Sequence, residues 1–353
     1  LFAAKKTVPP AMRPRLAKAG KVLAVAYGPD GQAAVGTESG LFLSDNDGVR
    51  QVFPRAGHKS WAPMNVTVAY DGLGRLWFAS FQGVGCYAEG RWKLFTGAEG
   101  LPYDDMTAVA AAADGTVWFG TAIGAIRFDG SAWAYRQGKR WLPSDAVRDI
   151  AVDADGNAWV ATAGGVSFIH FSGMTLAEKA KHYEDEIDKH HRRTEFGYVI
   201  GAYAPVAGRK ENLHLADSDN DGLWTSMYGA GECFAYGATK APLAKRRAKR
   251  AFEALRFLSE APKDSEHEPP AGFIARTVLP TSAGRDPNAG GYTLEGQRKF
   301  REERDGYWRI YEPRWPKSAD GRYYWKSDTS SDELDGHYFF YPLYYDLVAD
   351  TEA

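Results

Sequence analysis

Two acidic loops in the second half of the chain carry side chains suited to acid and base chemistry. The first, DSDND at 217–221, runs into GLW, and the second, DTSSDELD at 328–335, runs into GHY. The segment DNDGLW is therefore echoed by ELDGHY 114 residues later. Each loop leads into an aromatic segment typical of a buried inner helix. We therefore expect carboxylates from separate parts of the chain to meet in one cleft.

Paired carboxylates suit the hydrolysis of a glycosidic bond, which needs one carboxyl protonated as general acid and one ionised as base or nucleophile. The candidates for these roles are Asp219, Asp221, Asp332 and Asp335. Elimination on a uronate sugar would instead use a His or Tyr base and an Arg to neutralise the sugar carboxylate. Groups of that second kind are His337, Tyr341, His191, Arg192 and Arg193. The sequence contains candidate groups for both reactions and does not distinguish between them.

Sugar binding would also use aromatic faces beside the acidic loops. Trp224 and Tyr228 are the candidates for a stacking platform, and Asp328 is a further substrate-binding candidate. Plain helix capping is the competing interpretation of the second loop, because Ser330 to Glu333 has the spacing of a capping box. Thr329 to Asp332 offers a competing box. Neither box needs Asp328 or His337.

The first loop also resembles a calcium site. Asp217, Asp219 and Asp221 stand where an EF-hand places its first, third and fifth ligands, and a turn glycine follows. An EF-hand needs a bidentate Glu at its twelfth position, which here is Tyr228. Calcium binding, helix capping and a cleft loop all remain open. The chemistry proposed above requires no cofactor, and calcium is the only one that the pattern suggests.

Helical patterns surround these loops. TLAEKAKHYEDEIDKHHRRT opens with a capping box from Thr175 to Glu178, and APLAKRRAKRAFEALRFLSEA has Pro242 near its first turn. The basic run of the second helix is interpreted as a solvated outer face rather than a nucleic-acid site. Alternation of aromatic and basic amphipathic helices predicts α/α hairpins in a toroid-like, partial domain over residues 172–353.

The first half of the chain repeats one unit four times. The copies read PDGQAAVGTESGLFL, GLGRLWFASFQGVGCY, ADGTVWFGTAIGAIRF and ADGNAWVATAGGVSFI, and their aligned positions Ala34, Trp77, Trp118 and Trp159 are spaced by 43, 41 and 41 residues. A period near 40 residues with several short strands and glycine turns indicates β-propeller blades over residues 20–171. The repeated Trp and Thr residues are expected to fill and close the blades. Residues 1–19 are interpreted as a linker or stub.

The copy DGTVWFGTAIGAIRFDG resembles the two-component regulator propeller repeat, whose pattern runs D-G-x-x-W-x-G-T-x-x-G-[LV]. Members of that family usually close a seven-bladed ring. The resemblance therefore implies either a small propeller of four blades or further blades before residue 1.

The overall composition restricts the kinds of binding partner that the chain is expected to have. A net charge of −2 does not point to nucleic acid, and an aromatic content of 14%, with 11 Trp and 19 Tyr, mildly favours a carbohydrate ligand. Two cysteines, Cys86 and Cys233, exclude a disulfide scaffold and a thiolate metal cluster. No apolar run reaches the roughly 18 residues of a membrane span. The oligomeric state is left open.

The helical half, with HRRTEFGYV, DNDGLWTSMY and WKSDTSSDELDGHYF, resembles helical regions that join regulator-type propellers to α/α-toroid domains in large secreted bacterial proteins. Those proteins resemble carbohydrate-active enzymes. The resemblance implies a secreted or periplasmic enzyme that cleaves a polysaccharide or oligosaccharide, as a glycoside hydrolase or a uronate-type lyase, with the propeller as scaffold or glycan-binding accessory. The alternatives are a non-catalytic glycan-binding or sensor module, and a structural surface-assembly protein.

Overall fold

The structure, a computed structural model, describes residues 7–45, 48–54, 64–215, 219–289 and 293–350. The chain divides into two compact units, Leu1–Gly173 and Met174–Ala353. The first unit is built of β-sheets and the second mainly of helices. The predicted combination of propeller blades and a helical region is confirmed.

Unit 1 contains four consecutive propeller blades, each an antiparallel sheet whose strands follow chain order. Blade 1 comprises β1 (Val22–Tyr27), β2 (Ala33–Thr37), β3 (Gly40–Asp45) and β4 (Gly48–Phe53). Blade 2 comprises β5 (Thr67–Tyr70), β6 (Leu76–Ser80), β7 (Gly83–Ala88) and β8 (Arg91–Phe95). Blade 3 comprises β9 (Met106–Ala111), β10 (Val117–Thr121), β11 (Gly124–Phe128) and β12 (Trp133–Arg136). Blade 4 comprises β13 (Val147–Val152), β14 (Ala158–Thr162) and β15 (Gly165–Ile169).

In blades 2 and 3 the repeated Trp residues fill the blade core, and in blade 3 the repeated Thr closes a hairpin, as the repeat predicts. Trp77 and Trp118 are 1% and 0% exposed, because the next blade packs over each of them. Thr121 closes the hairpin between β10 and β11, since its hydroxyl donates to the carbonyl of Gly124 at 2.8 Å. The first strands of successive blades, β1, β5, β9 and β13, lie side by side. A short helical segment, a 3-10 turn at Pro10–Met12 and α1 (Arg13–Leu16), covers the free face of blade 1.

Unit 2 consists of helices joined by short two-stranded sheets. Its helices are α2 (Leu176–His190), α3 (Asp221–Thr239), α4 (Pro242–Glu260), α5 (Leu294–Glu303) and α6 (Ser331–Leu347). Its paired strands are β16 (Arg192–Arg193) with β17 (Tyr198–Val199), β18 (Ala202–Tyr203) with β19 (His214–Leu215), and β20 (Val278–Pro280) with β21 (Tyr323–Trp325). None of the helices in the described part of the chain is long and apolar enough to cross a membrane.

Helix α3 lies at the centre of unit 2, because it packs against both α4 and α6. Helices α3 and α4 form one helical hairpin, joined at Lys240 and Ala241. The side chains between these helices form one core, in which Cys233, Leu255 and Phe340 are fully buried. Arrangement of the hairpins in a toroid remains a prediction.

The helix starts show where local sequence decides structure and where it does not. Thr175 and Glu178 form the predicted capping box of α2: Thr175 N–H donates to Glu178 Oε2 at 2.8 Å and Glu178 N–H donates to Thr175 Oγ1 at 3.2 Å. Helix α6 also begins after Ser330, as expected. The Ser330 hydroxyl, however, makes no capping bond, and Glu333 turns away to α3.

Candidate functional site at the starts of helices α3 and α6

Asp221, the first residue of α3, is fully buried in an ion pair with Arg193 of β16. Thr277, which precedes β20, also donates its hydroxyl to Asp221 Oδ2. Arg193 completes the group by donating to Thr277 Oγ1 at 2.8 Å and to the carbonyl of Val278 at 2.7 Å. A buried carboxylate is stable only when paired and hydrogen-bonded, so these contacts stabilise the Asp221 carboxylate and tie three segments together.

Asp219 is held by a second group of charges. Lys326, which is 3% exposed, forms an ion pair with Asp219 and lies 3.6 Å from Asp328 Oδ1. Partial burial acts to raise the pKa of Asp219, but the hydrogen bond and charge of Lys326 outweigh it and lower that pKa below its ordinary value. Arg314 donates to Asp328 Oδ2 through Nε at 2.9 Å. Both aspartates are therefore paired with basic side chains.

Arg276 connects the two acidic loops. Its Nε donates to the backbone carbonyl of Asp219 at 2.7 Å. Its charge also acts on Glu333 of α6, where it favours the ionised carboxylate. The loop before α3 and the first turn of α6 thus approach one another around Arg276.

Glu333 is a further functional candidate. The sequence pattern predicts only a capping role for it. Its side chain is 2% exposed, and its Oε2 accepts a hydrogen bond from the backbone N–H of Leu223 at 2.9 Å. The amide nitrogen of Asn220, in the orientation that satisfies both of its partners, lies 2.9 Å from Oε1. Burial raises the pKa of Glu333 from 4.5 to about 7. A carboxyl that titrates near neutral pH can exchange a proton under physiological conditions.

His337 lies one turn after Glu333 on the same helix and is 1% exposed. Burial lowers its pKa from 6.5 to about 4, so the imidazole is neutral at pH 7. Its Nδ1 is 2.8 Å from the hydroxyl of Tyr341, whose pKa burial raises to about 12. His337 and Tyr341 are therefore a neutral hydrogen-bonded pair inside the helix packing.

Gly222 allows these groups to approach α3. A Cβ atom at this position would lie 2.7 Å from His337 Nε2 and 2.8 Å from Glu333 Oε2. Gly336 has the reciprocal role on α6, where a Cβ atom would lie 2.3 Å from Ser226 Oγ. The two glycines of the repeated Asp-Gly motif are thus points at which α3 and α6 pack closely.

The remaining predicted site residues do not share one environment. Trp224 is 40% exposed, whereas Tyr228 is partly buried beneath the guanidinium of Arg192, 4.6 Å from its ring centre. Asp332 lies exposed in the first turn of α6. Asp335 is exposed one turn further along, so the two Asp-Gly motifs do not occupy equivalent helix positions. Arg192 pairs with Asp188 of α2 at 2.8 Å.

The calcium hypothesis involves one residue outside the described part of the chain, Asp217. Within the described residues, no group of three or more His, Cys, Asp or Glu side chains is arranged to hold a metal ion. Asp219 and Asp221 face Lys326 and Arg193 respectively. Calcium binding therefore remains a prediction.

Comparison with known proteins identifies the repeat. Residues 142–164 match the profile of the family described as two component regulator propeller. This match covers the strand pair β13 and β14 with the connection before it, and it confirms the resemblance of the repeats. Among curated proteins, none matches the sequence significantly.

Solved structures resemble part of the chain. The extracellular domain assigned to a hybrid two-component system of B. thetaiotaomicron shows 24% identity and a TM-score of 0.37 over 45% of this chain and 22% of that chain. A domain assigned to a one-component system of the same organism shows 19% identity and a TM-score of 0.36 over 43% and 22%. A gluconolactonase of Xanthomonas campestris shows 14% identity and a TM-score of 0.30 over 44% and 63%. The chain thus spans less than a quarter of the first two proteins, and no ligand or activity is transferred from any of them.

Proposed function

We propose that the chain is a glycan-binding module of a secreted or periplasmic protein, and that its role is recognition rather than turnover. The observation that carries the proposal is the state of the candidate carboxylates. Asp221, Asp219 and Asp328 are each paired with a basic side chain, which satisfies their charge within the protein and holds their positions. The regulator-type propeller repeat in unit 1 supports a recognition role.

The surface proposed to bind the glycan is the exposed side of α3 and α6. Trp224 is 40% exposed and Tyr338 is 69% exposed, on helices whose backbones meet at Leu223 and Gly336. Asp335, an exposed carboxylate three residues before Tyr338, lies on the same side of α6. An aromatic face beside a carboxylate suits a sugar, because the ring stacks while the carboxylate accepts from sugar hydroxyls.

A carbohydrate-active enzyme is the second candidate, and one observation favours it. Glu333, whose pKa burial raises to about 7, would be a general acid. His337 would be a weak base, because burial lowers its pKa to about 4. In this scheme Asp221 and Asp219 position the loops and do not react.

Incubation with a panel of neutral and uronate polysaccharides separates the two candidates. Calorimetry or affinity electrophoresis measures binding, ultraviolet absorbance detects unsaturated products of elimination, and a reducing-end assay detects hydrolysis. Binding without either product is expected. If the wild-type chain turns over a polysaccharide and Glu333→Gln does not, the proposed binding function is wrong and the chain is an enzyme.

A substitution locates the binding surface. Trp224→Ala should weaken glycan binding at least tenfold, equivalent to about 1.4 kcal/mol. The control is Tyr307→Ala, because Tyr307 is 96% exposed in the loop after α5 and lies outside the surface. Wild-type glycan affinity in Trp224→Ala would show that glycans do not bind at this surface. A wild-type chain that binds no member of the panel would contradict the proposed function.

A further inference from the structure

Unit 2 contains a recess of about 410 Å³ that is bordered by α4, by the loop before β20 and by α6. Helix α4 contributes Phe252, Arg256 and Ser259, whose spacing places them on one side of the helix. The other walls are loop residues 272–274 and Tyr341 of α6. A recess of this size lies within the usual range of small-molecule sites, about 300–1,000 Å³.

The core of unit 2 holds the aromatic walls of the recess in place. The ring of Phe252 stacks on that of Tyr344 with centres 4.4 Å apart, and it meets the ring of Tyr341 edge to face at 5.9 Å. Phe273 packs edge to face against the buried Trp325 at 5.8 Å. These walls are therefore pre-formed, which lowers the free-energy cost of binding a ligand.

The loop wall is anchored on one side and has free space on the other. The backbone N–H of Ala275, which is buried, donates to the carbonyl of Leu258 in α4 at 2.9 Å. Gly272 has no side chain, and nothing lies within 4 Å of its Cβ position. The loop thus fixes Ile274 against the core and leaves space beside Gly272.

The charged side chains at the recess are basic. Arg256 is engaged by Glu253 and Glu260 of its own helix, and its Nε lies 2.7 Å from Glu253 Oε2. Lys263, just after the end of α4, is exposed and forms no ion pair with a described residue. None of the described residues that line the recess is acidic. The Lys263 ammonium is therefore available to an anionic group at the edge of an apolar recess.

The lining favours an aromatic ring over a sugar ring. Among the described lining residues, only Ser259 and Tyr341 carry side-chain hydroxyls. Both are engaged, because Ser259 donates to the carbonyl of Arg256 at 2.7 Å and Tyr341 is hydrogen-bonded to His337 at 2.8 Å. A sugar would thus find few partners for its hydroxyls, whereas an aromatic ring can bury its faces against the apolar walls.

We propose that this recess binds a small aromatic carboxylate. The ring would lie against Phe252 and Phe273, and the carboxylate would pair with the Lys263 ammonium. Burial of the ring supplies the affinity, and the ammonium selects the anion. The recess shares no residue with the proposed glycan-binding surface at Trp224 and Tyr338, so either property can fail alone.

Calorimetry on the full chain with benzoate and benzamide tests this proposal. The wild type should bind benzoate about fivefold more tightly than benzamide, which keeps the ring but carries no charge. Lys263→Gln should weaken benzoate binding by about the same factor, because it removes the ammonium. The matched control is Lys249→Gln, since Lys249 is an exposed lysine of the same helix outside the recess, and it should bind benzoate like the wild type. Thermal unfolding verifies that each variant is folded.

NMR spectra of the isoleucine methyl groups locate the bound ring. Benzoate in the recess should shift the methyl signals of Ile274 through its ring current and leave those of Ile310, in the loop after α5, in place. Ile274→Val identifies the signals of that residue by their loss.

Three results would overturn the proposal. These are a wild-type chain that does not bind benzoate, unchanged benzoate affinity in Lys263→Gln, and binding that leaves the Ile274 signals unmoved. Glucuronate is the further arm of the titration, because it carries a carboxylate on a sugar ring. Tighter binding of glucuronate than of benzoate, abolished in Lys263→Gln, would make the recess a sugar site and would also contradict the proposed ligand.

Discussion

Glu333 of α6 closes the N-terminus of α3, because its Oε2 accepts a hydrogen bond from the backbone N–H of Leu223 at 2.9 Å. Helix α3 has no capping bond from its own Asn220 side chain at the N-cap position. The first N–H groups of a helix have no partner within the helix, so a cap from elsewhere satisfies one of them. A residue 110 positions away in the chain thus completes α3.

The buried Glu333 carboxyl should make stability depend on pH. Its pKa is raised from 4.5 to about 7 in the folded chain, so the folded state holds the proton more tightly than the unfolded state. The contribution of Glu333 to stability is therefore fully present below pH 4.5 and is lost as the pH rises through 7. Glu333→Gln keeps an oxygen for Leu223 but does not ionise, so it should be more stable than the wild type at pH 8, by about 2–3 kcal/mol.

Urea unfolding at pH 5 and pH 8 measures this effect. The control is Asp335→Asn, which removes an exposed carboxylate of the same helix and should leave the pH dependence of the wild type in place. A wild-type stability that does not fall between pH 5 and 7, or an equal fall in Glu333→Gln, would assign the pH dependence to other groups.

Gly222 should not tolerate a side chain. Gly222→Ala would place a Cβ atom 2.7 Å from His337 Nε2 and 2.8 Å from Glu333 Oε2, both of which are buried. We expect a loss of about 1–3 kcal/mol in the free energy of unfolding, because the helices must separate. Gly231→Ala is the matched control in the same helix: nothing lies within 4 Å of its Cβ position. It should gain about 0.5–1 kcal/mol through better helix propensity. Equal effects of the two substitutions would contradict the close packing.

Asp221 should be a structural residue. Asp221→Asn leaves the buried guanidinium of Arg193 without its charged partner, and we expect a loss of about 3–5 kcal/mol in stability. Asp335→Asn alters an exposed residue of α6 and should change stability by less than about 0.5 kcal/mol. Denaturant unfolding of the two variants checks the difference. Wild-type stability in Asp221→Asn would show that the ion pair contributes little and would reopen a direct chemical role for this carboxylate.

The fold could be predicted where the signal was local or repeated. The four copies of the Trp repeat predicted the blades, because each copy carries its own turn glycine and hairpin-closing Thr or Ser. Thr175 and Glu178 predicted the start of α2, because both members of that capping box lie within one turn. In each case the deciding contacts join residues close in sequence.

The site was less predictable because its contacts join distant segments. Glu333 has the spacing to cap its own helix, but burial against Leu223 offers it a hydrogen bond that only the packing of α3 on α6 creates. The acidic motif around Asp221 predicts a position in a cleft. Its ion pair with Arg193 depends on how β16 pairs with β17, which the motif does not show. Acidic spacing alone thus indicates where carboxylates gather, while the partners that decide their chemistry come from the tertiary fold.

Asp71 of blade 2 should contribute more to the free energy of unfolding than its counterpart Asp153 of blade 4. Asp71 is 5% exposed, accepts from the backbone N–H groups of Leu73 and Arg75 at 3.0 and 2.9 Å, and accepts from the indole N–H of the buried Trp77 at 2.8 Å. Asp71→Ala leaves that indole without a partner, and we expect a loss of about 2–3 kcal/mol in the free energy of unfolding.

Asp153→Ala is the matched control for this substitution. Asp153 accepts from the backbone N–H groups of Asp155 and Asn157 at 3.0 and 2.9 Å, and the Trp159 side chain also hydrogen-bonds to it. Trp159 is 48% exposed, however, so water can replace the carboxylate as the partner of its indole N–H. The loss should therefore be only about 1 kcal/mol. Blade 3 provides a natural parallel, since it has Ala112 at this position and the indole N–H of Trp118 has no hydrogen-bond partner within the described residues. Equal losses in the two variants would show that the turn bonds, and not the buried indole, determine the contribution of this aspartate.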